Sequence, residues 1–174
     1  VCLMLSVGAA VSAQAAGRQV YDDAGLFSDS EISELTEAAN VAEEETGWDL
    51  MLLTVNDSSV GSTQSYAEEK FNEYTEKDSG IAFVLDMNAR LFYIATGGEA
   101  YEYVGDTRLN ELLDDATAYA GDGDYYQAMI AMLNDTVTFY QEGKPDHSSV
   151  YDADQGIYRD VSGSNVRLLD LKDI

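Results

Sequence analysis

The chain has 174 residues, of which 33 are acidic and 9 basic, giving a formal net charge of -24. A field of that sign repels phosphate backbones and anionic lipid surfaces, so nucleic acid is excluded as a partner. The length and the hydrophobic content of 45% suit one core and make a second domain unnecessary.

Residues 1–16 run apolar and small (Leu3, Met4, Leu5, Val7, Ala9, Ala10, Val11) and reach Ala13-Gln14-Ala15, an A-x-A cleavage pattern. They are expected to be a truncated signal peptide, with a retained amphiphilic anchor as the alternative. The expected localisation is therefore outside the cytoplasm, secreted or on the extracytoplasmic face of the cell envelope. The only cysteine, Cys2, falls in this segment, so the mature chain is expected to use neither a thiol nor a disulfide.

Residues 17–141 carry the pattern of one α/β domain. VYDDAGLF leads into Ser28-Asp29-Ser30-Glu31, a capping box that starts a helix near Asp29. Ile32, Leu35, Ala38, Ala39 and Ala42 then form its apolar stripe, and Gly47 stops it. The run Trp48 to Val55 (WDLMLLTV) is short and almost wholly apolar, as in a central strand buried on both faces. A second amphipathic helix carries Tyr66, Ala67, Lys70, Phe71 and Tyr74 and ends before Asp78-Ser79-Gly80. Strands follow at Ile81–Asp86 and Leu91–Thr96, joined by a hairpin through Met87 to Arg90. Glu99 to Gly105 is expected to be a polar and aromatic loop before a helix capped at Asp106 and Thr107, and a last helix runs from Tyr126 to Tyr140. The predicted fold is thus α/β: a single small mixed sheet, with a parallel core pair and an antiparallel hairpin strand, flanked by about four helices. Residues 142–174, acidic and rich in Gly and Ser, are expected to form a flexible tail without a core of its own.

Several motifs of this domain occur together in a known family. Val20-Tyr21-Asp22-Asp23-Ala24-Gly25-Leu26-Phe27-Ser28, Gly47 ahead of the first long strand, Ser65-Tyr66-Ala67-Glu68 with Phe71, and Asp78-Ser79-Gly80-Ile81 are four of them. Arg90 in the hairpin, Thr96-Gly97 and the Asp106 helix entry complete the series. The order and wording resemble the TPM domain family of bacterial exported proteins and plant thylakoid-lumen proteins. The resemblance implies a small mixed sheet with flanking helices, export, calcium binding in some members, and an acid phosphatase activity attributed to the plant branch. Two departures stand out. The family's D-N-G string reads Asp78-Ser79-Gly80 here, and the tail to Ile174 contains no membrane span, so anchoring would require the gene to extend past Ile174.

A Ser-His-Asp or Cys-His site needs a base near neutral pKa beside its nucleophile, and the single histidine, His147, falls in the tail after Pro145. Zinc is poorly served for the same reason. Carboxylates remain. One end of the sheet is expected to gather Asp22 and Asp23 near Asp57 and Asp86, and the other Asp78, Gly97, Gly98 and Asp106. The expected metal ligands are Asp22, Asp23, Asp78 and Asp106, and the expected cofactor is Ca2+, which takes several oxygens at about 2.3–2.6 Å. The alternatives are a helix cap for Asp106 and turn-forming roles for Asp22, Asp23 and Asp78. Asp122-x-Asp124 lacks the later ligands of a calcium loop. Arg90 is a candidate for anion binding or for a bridge to Asp86. Tyr101 and Tyr103, placed in a loop, are kept for a binding surface. These expectations describe a calcium-binding accessory or interaction module of the cell envelope, with an unknown envelope or extracellular protein as partner. A metal-assisted phosphatase acting on phosphomonoesters is the alternative, and a metal-free structural domain is the third.

Overall fold

The computed structural model describes residues 19–145, 150–152, 157–159 and 164–168. Its elements, in chain order, are β1 (Val20–Asp22), α1 (Asp29–Thr46), β2 (Asp49–Val55), α2 (Thr63–Tyr74), β3 (Gly80–Asp86) and β4 (Leu91–Gly97), then α3 (Glu99–Gly121), α4 (Tyr125–Glu142), β5 (Val150–Asp152), β6 (Ile157–Arg159) and β7 (Ser164–Leu168). Strands β1, β2 and β3 are parallel, β4 is antiparallel to β3, and the five-stranded order is β1-β2-β3-β4-β7. The expected mixed sheet with four flanking helices is present.

Period-two alternation divides the core into two apolar layers. Leu50, Leu52, Ile81, Phe83, Leu85, Phe92 and Ile94 face α1, α3 and α4, where Leu35, Ala39, Leu109, Leu112 and Met129 cover them. Met51, Leu53, Ala82, Val84 and Tyr93 face the opposite way and meet Ala67 of α2, with Tyr66 and Phe71 packed alongside. A strand covered on both faces has no polar side to alternate with, which is why β2 and β3 read as continuous apolar runs.

The two crossovers, β1-α1-β2 and β2-α2-β3, step in the same direction across the sheet but place their helices on opposite faces. They therefore have opposite hands, and one departs from the usual right-handed rule. The same divergence separates the loops that leave β1 and β2.

Helix α1 begins as the capping box requires. The Ser28 hydroxyl accepts from the Glu31 amide at 3.4 Å, and the Glu31 carboxylate accepts from the Ser28 hydroxyl and from the Ser28 amide, each at 2.7 Å, which together hold the Glu31 pKa below the usual range. Gly47 ends it at φ 76, donating to the Glu43 carbonyl.

Several elements differ from the sequence expectation. Val20–Asp22, read as a lead-in, is a parallel edge strand. Glu99–Gly105, read as a loop, is the first part of α3, which breaks direction at Gly105 (φ 55, ψ 177) just before the expected start at Asp106. The helix starts early because Ser79, twenty residues back, accepts the Glu99 amide on its hydroxyl at 2.8 Å. Tyr101 and Tyr103 are accordingly helical. Tyr101 is buried, and Tyr103 stacks on Tyr140 with its centroid 5.3 Å from that of Trp48. Within 142–174, Glu142 closes α4, β5 and β6 form a hairpin, and β7 joins the main sheet. Strands of three and five residues are too short to leave a periodic signature. Residues 1–18, with Cys2, and His147 lie outside the described residues.

Candidate functional site

The parallel strands deliver their carboxyl ends, Asp22, Val55 and Asp86, to one edge of the sheet. The chain leaving β1 turns toward α1 on one face, and the chain leaving β2 turns toward α2 on the other. In open α/β sheets, a divergence of this kind places a ligand-binding crevice at the carboxyl edge.

Asp22 is committed to local structure. Its carboxylate accepts from the amides of Leu26 (3.0 Å) and Phe27 (2.9 Å) and from the Thr54 hydroxyl (2.5 Å), while Thr54 accepts the Ala24 amide at 3.1 Å. The carboxylate closes the turn that carries the chain from β1 to α1. Asp86, 1% exposed, is equally engaged: one oxygen accepts the Thr63 hydroxyl at 2.6 Å and the other the Ala89 amide at 2.8 Å. Asp22 stands opposite Thr54 and Asp86 opposite Val55, adjacent positions on β2, so the two carboxylates lie on opposite faces.

Asp23 and Asp57 differ from both. Each is exposed on a loop bordering the crevice. The Asp23 backbone amide donates to the Thr54 carbonyl at 3.2 Å, and its carboxylate has no hydrogen-bond partner among the described residues. Asp57 accepts the Ser59 amide at 2.8 Å, which holds its pKa below the ordinary carboxylate range. None of these four carboxylates is in an ion pair among the described residues.

Tyr66 connects the α2 face to this edge. Its hydroxyl is shut off from solvent without a hydrogen-bond partner among the described residues. Burial pushes its pKa up, and the negative charges of Asp23 and Asp86 add to the rise while Lys70 opposes them. A cleft of about 450 Å³ runs beside it, lined by Ser59, Val60, Gly61, Ser62, Tyr66 and Glu69 at the amino end of α2. A larger hollow of about 560 Å³ lies at the opposite edge, but its basic residue, Lys144, is held by Glu102 at 2.5 Å and Glu99 at 3.2 Å. The crevice is the better candidate, because there the charge is uncompensated.

The other expected ligands lie elsewhere. Asp78 is exposed at the opposite edge, where its carbonyl oxygen and the Ser79 hydroxyl crowd Gly98. Asp106 is in α3 just past the break at Gly105, and its carbonyl accepts from Asn110. Arg90 is exposed in the left-handed region (φ 58) and makes no ion pair with Asp86 among the described residues, since the backbone amide of Ala89 and Thr63 satisfy that carboxylate. Asp124 caps α4 through the Gln127 amide. Thr54 and Thr63, which fix the two inner carboxylates, were not singled out as site residues from sequence; for Thr54 the available signal was a polar residue near the carboxyl end of the apolar run WDLMLLTV.

Calcium takes six to eight oxygens. Among the described residues no three His, Cys, Asp or Glu side chains are arranged to hold a metal ion. Asp22, Asp23, Asp78 and Asp106 do not form one shell, and only Asp23 and Asp57 retain exposed carboxylates at the crevice.

The sequence profile of the TPM domain matches residues 20–139, which is β1 through most of α4. The chain belongs to the TPM domain family. Its fold is similar to the solution structure of the N-terminal domain of a protein from P. gingivalis (TM-score 0.64, 16% identity, 75% of this chain and 88% of that one). It is similar as well to the BA42 protein of the psychrophilic bacterium Bizionia argentinensis (TM-score 0.60, 14% identity, 68% and 84%). A third likeness is to the N-terminal domain of the cg2496 protein of Corynebacterium glutamicum (TM-score 0.62, 13% identity, 79% and 90%). At these identities the likeness carries the TPM fold alone. No functionally curated protein matches the chain. Among the described residues, no helix of this TPM domain is long and apolar enough to cross a membrane.

Proposed function

We propose that this TPM domain is an exported accessory module that responds to calcium at the carboxyl edge of its sheet and presents that edge to an envelope or extracellular protein. The observation that carries the reading is the gathering of Asp22, Asp23, Asp57 and Asp86 around one crevice with no basic partner among the described residues. Asp22 and Asp86 stiffen the two walls, and Asp23 and Asp57 offer the exposed oxygens. Two exposed carboxylates on neighbouring loops, completed by backbone carbonyls and water, make a weak site of the millimolar class used by extracellular modules. Binding there would cancel repulsion between the loops and fix their relative positions. The hydrolytic reading has less behind it. Arg108 spends its guanidinium on the carbonyls of Tyr103, Phe139 and Gly143 and on Glu142, leaving Arg90 as the exposed cation nearest this edge.

The test is thermal melting of the chain in calcium, in magnesium and after chelation. With a dissociation constant near 1 mM, 10 mM calcium stabilises the fold by about 1.4 kcal/mol through mass action. That gain should disappear in Asp23→Asn. Equal melting in calcium and chelator would leave a metal-free module.

A further inference from the structure

Strand β4 is the last strand of the matched TPM domain, and its outer edge is filled by β7, a segment outside the match. The register runs Leu91–Leu168, Phe92–Arg167, Tyr93–Val166, Ile94–Asn165 and Ala95–Ser164. Phe92, Tyr93 and Ile94 are fully buried, so an unfilled edge would leave a row of backbone donors and acceptors beside an apolar strand. Although acidic residues outnumber basic ones 33 to 9, the segment Ser164-Asn165-Val166-Arg167-Leu168 contains one base and no acid. This composition complements the negative field of the domain.

We propose that the outer edge of β4 is a strand-docking site for a partner's extended segment that alternates apolar with polar or basic residues, and that residues 164–168 occupy it as a displaceable stand-in. Backbone pairing along Leu91–Ala95 supplies the affinity, and the charge of the domain favours a basic strand over an acidic one. The resident strand protects the edge until a stronger strand replaces it. This site lies at the side of the sheet and does not depend on cation binding at the crevice.

The first test disables the resident strand in the full chain with Asn165→Pro and Val166→Pro together. Backbone amides alternate in direction along a strand, so one of these two adjacent prolines must remove a bond to β4. A fluorescent peptide of residues 163–169 is then titrated by anisotropy against the variant and the unaltered chain. The expected result is at least tenfold tighter binding to the variant, with slowed hydrogen exchange at β4 amides, and several-fold weaker binding of the Arg167→Glu peptide at low salt. No preference for the variant overturns the proposal. A second chain, Cys2→Ser with Ala95→Cys and Ser164→Cys, keeps the test independent of proline tolerance. Oxidation should lock the resident strand and abolish peptide binding, and reduction should restore it; equal binding in both states overturns the assignment to this edge.

Discussion

Thr63, in the first turn of α2, donates its hydroxyl proton to the buried carboxylate of Asp86 at 2.6 Å, tying the amino end of a helix to the end of β3. The other Asp86 oxygen takes the Ala89 amide in the β3-β4 hairpin. A buried charge left short of a donor is costly. Thr63→Val should therefore lower stability by about 1.5–3 kcal/mol, the range for hydrogen bonds to charged groups. Urea denaturation checks this, and a loss below 0.5 kcal/mol, an order-of-magnitude bound, would show that Asp86 is satisfied without Thr63.

Asp22 and Asp23 are sequence neighbours with opposite roles. Removing the Asp22 carboxylate strands the amides of Leu26 and Phe27 and frees Thr54, so Asp22→Ala should destabilise the fold by about 2 kcal/mol. Asp23→Asn should leave stability without cation within about 0.5 kcal/mol and remove the calcium response. Paired melts of the two variants, with and without calcium, separate the roles; a calcium gain surviving in Asp23→Asn would place the ligand elsewhere.

Gly98 begins α3 at φ 62, and an added Cβ would lie 2.1 Å from the Asp78 carbonyl oxygen. No alanine fits without moving the β3 entry. Gly98→Ala should cost more than about 2 kcal/mol, whereas Ser79→Ala, which removes only the cap on the Glu99 amide, should cost about 1 kcal/mol. Chemical denaturation of both variants checks the order as well as the sizes.

Asp135, half-buried between α3 and α4, has its pKa raised above the ordinary 3.8 by burial and by the charges of Asp115 and Glu111. Below pH 3.8 both folded and unfolded chains hold the proton, and no penalty exists. As pH rises the unfolded chain releases it first, so the folded state loses stability until its own pKa is passed, and the loss is complete at neutral pH. Asp135→Asn should accordingly stabilise the protein at pH 7, by about 0.5 kcal/mol after solvent screening, with the gain fading in acid. A Tm difference that stays constant from pH 3 to 7 would contradict the assignment.

What could be read from sequence was whatever local chemistry controls. The Ser28-Glu31 cap, the Gly47 stop, the doubly buried run of β2 and the β3-β4 hairpin all follow from residues close along the chain. Elements set by distant partners were hidden. Three-residue β1 exists because β2 offers it a ladder, and α3 starts at Glu99 because Ser79, at the entry of the neighbouring strand β3, caps it. The candidate site was half legible. Asp22, Asp23, Asp57 and Asp86 do gather at one edge, but the pleat puts Asp22 and Asp86 on opposite faces, and Asp106 follows the Gly105 break inside α3.

The central claim, that the crevice at the carboxyl edge answers to calcium, is tested most directly by following backbone amide resonances during a calcium titration. The account predicts shifts concentrated at Asp23, Asp57 and neighbouring crevice residues, saturating in the millimolar range and absent in Asp23→Asn. Shifts centred instead on Asp78, Gly98 and Glu99, or no saturable shifts at all, would contradict it.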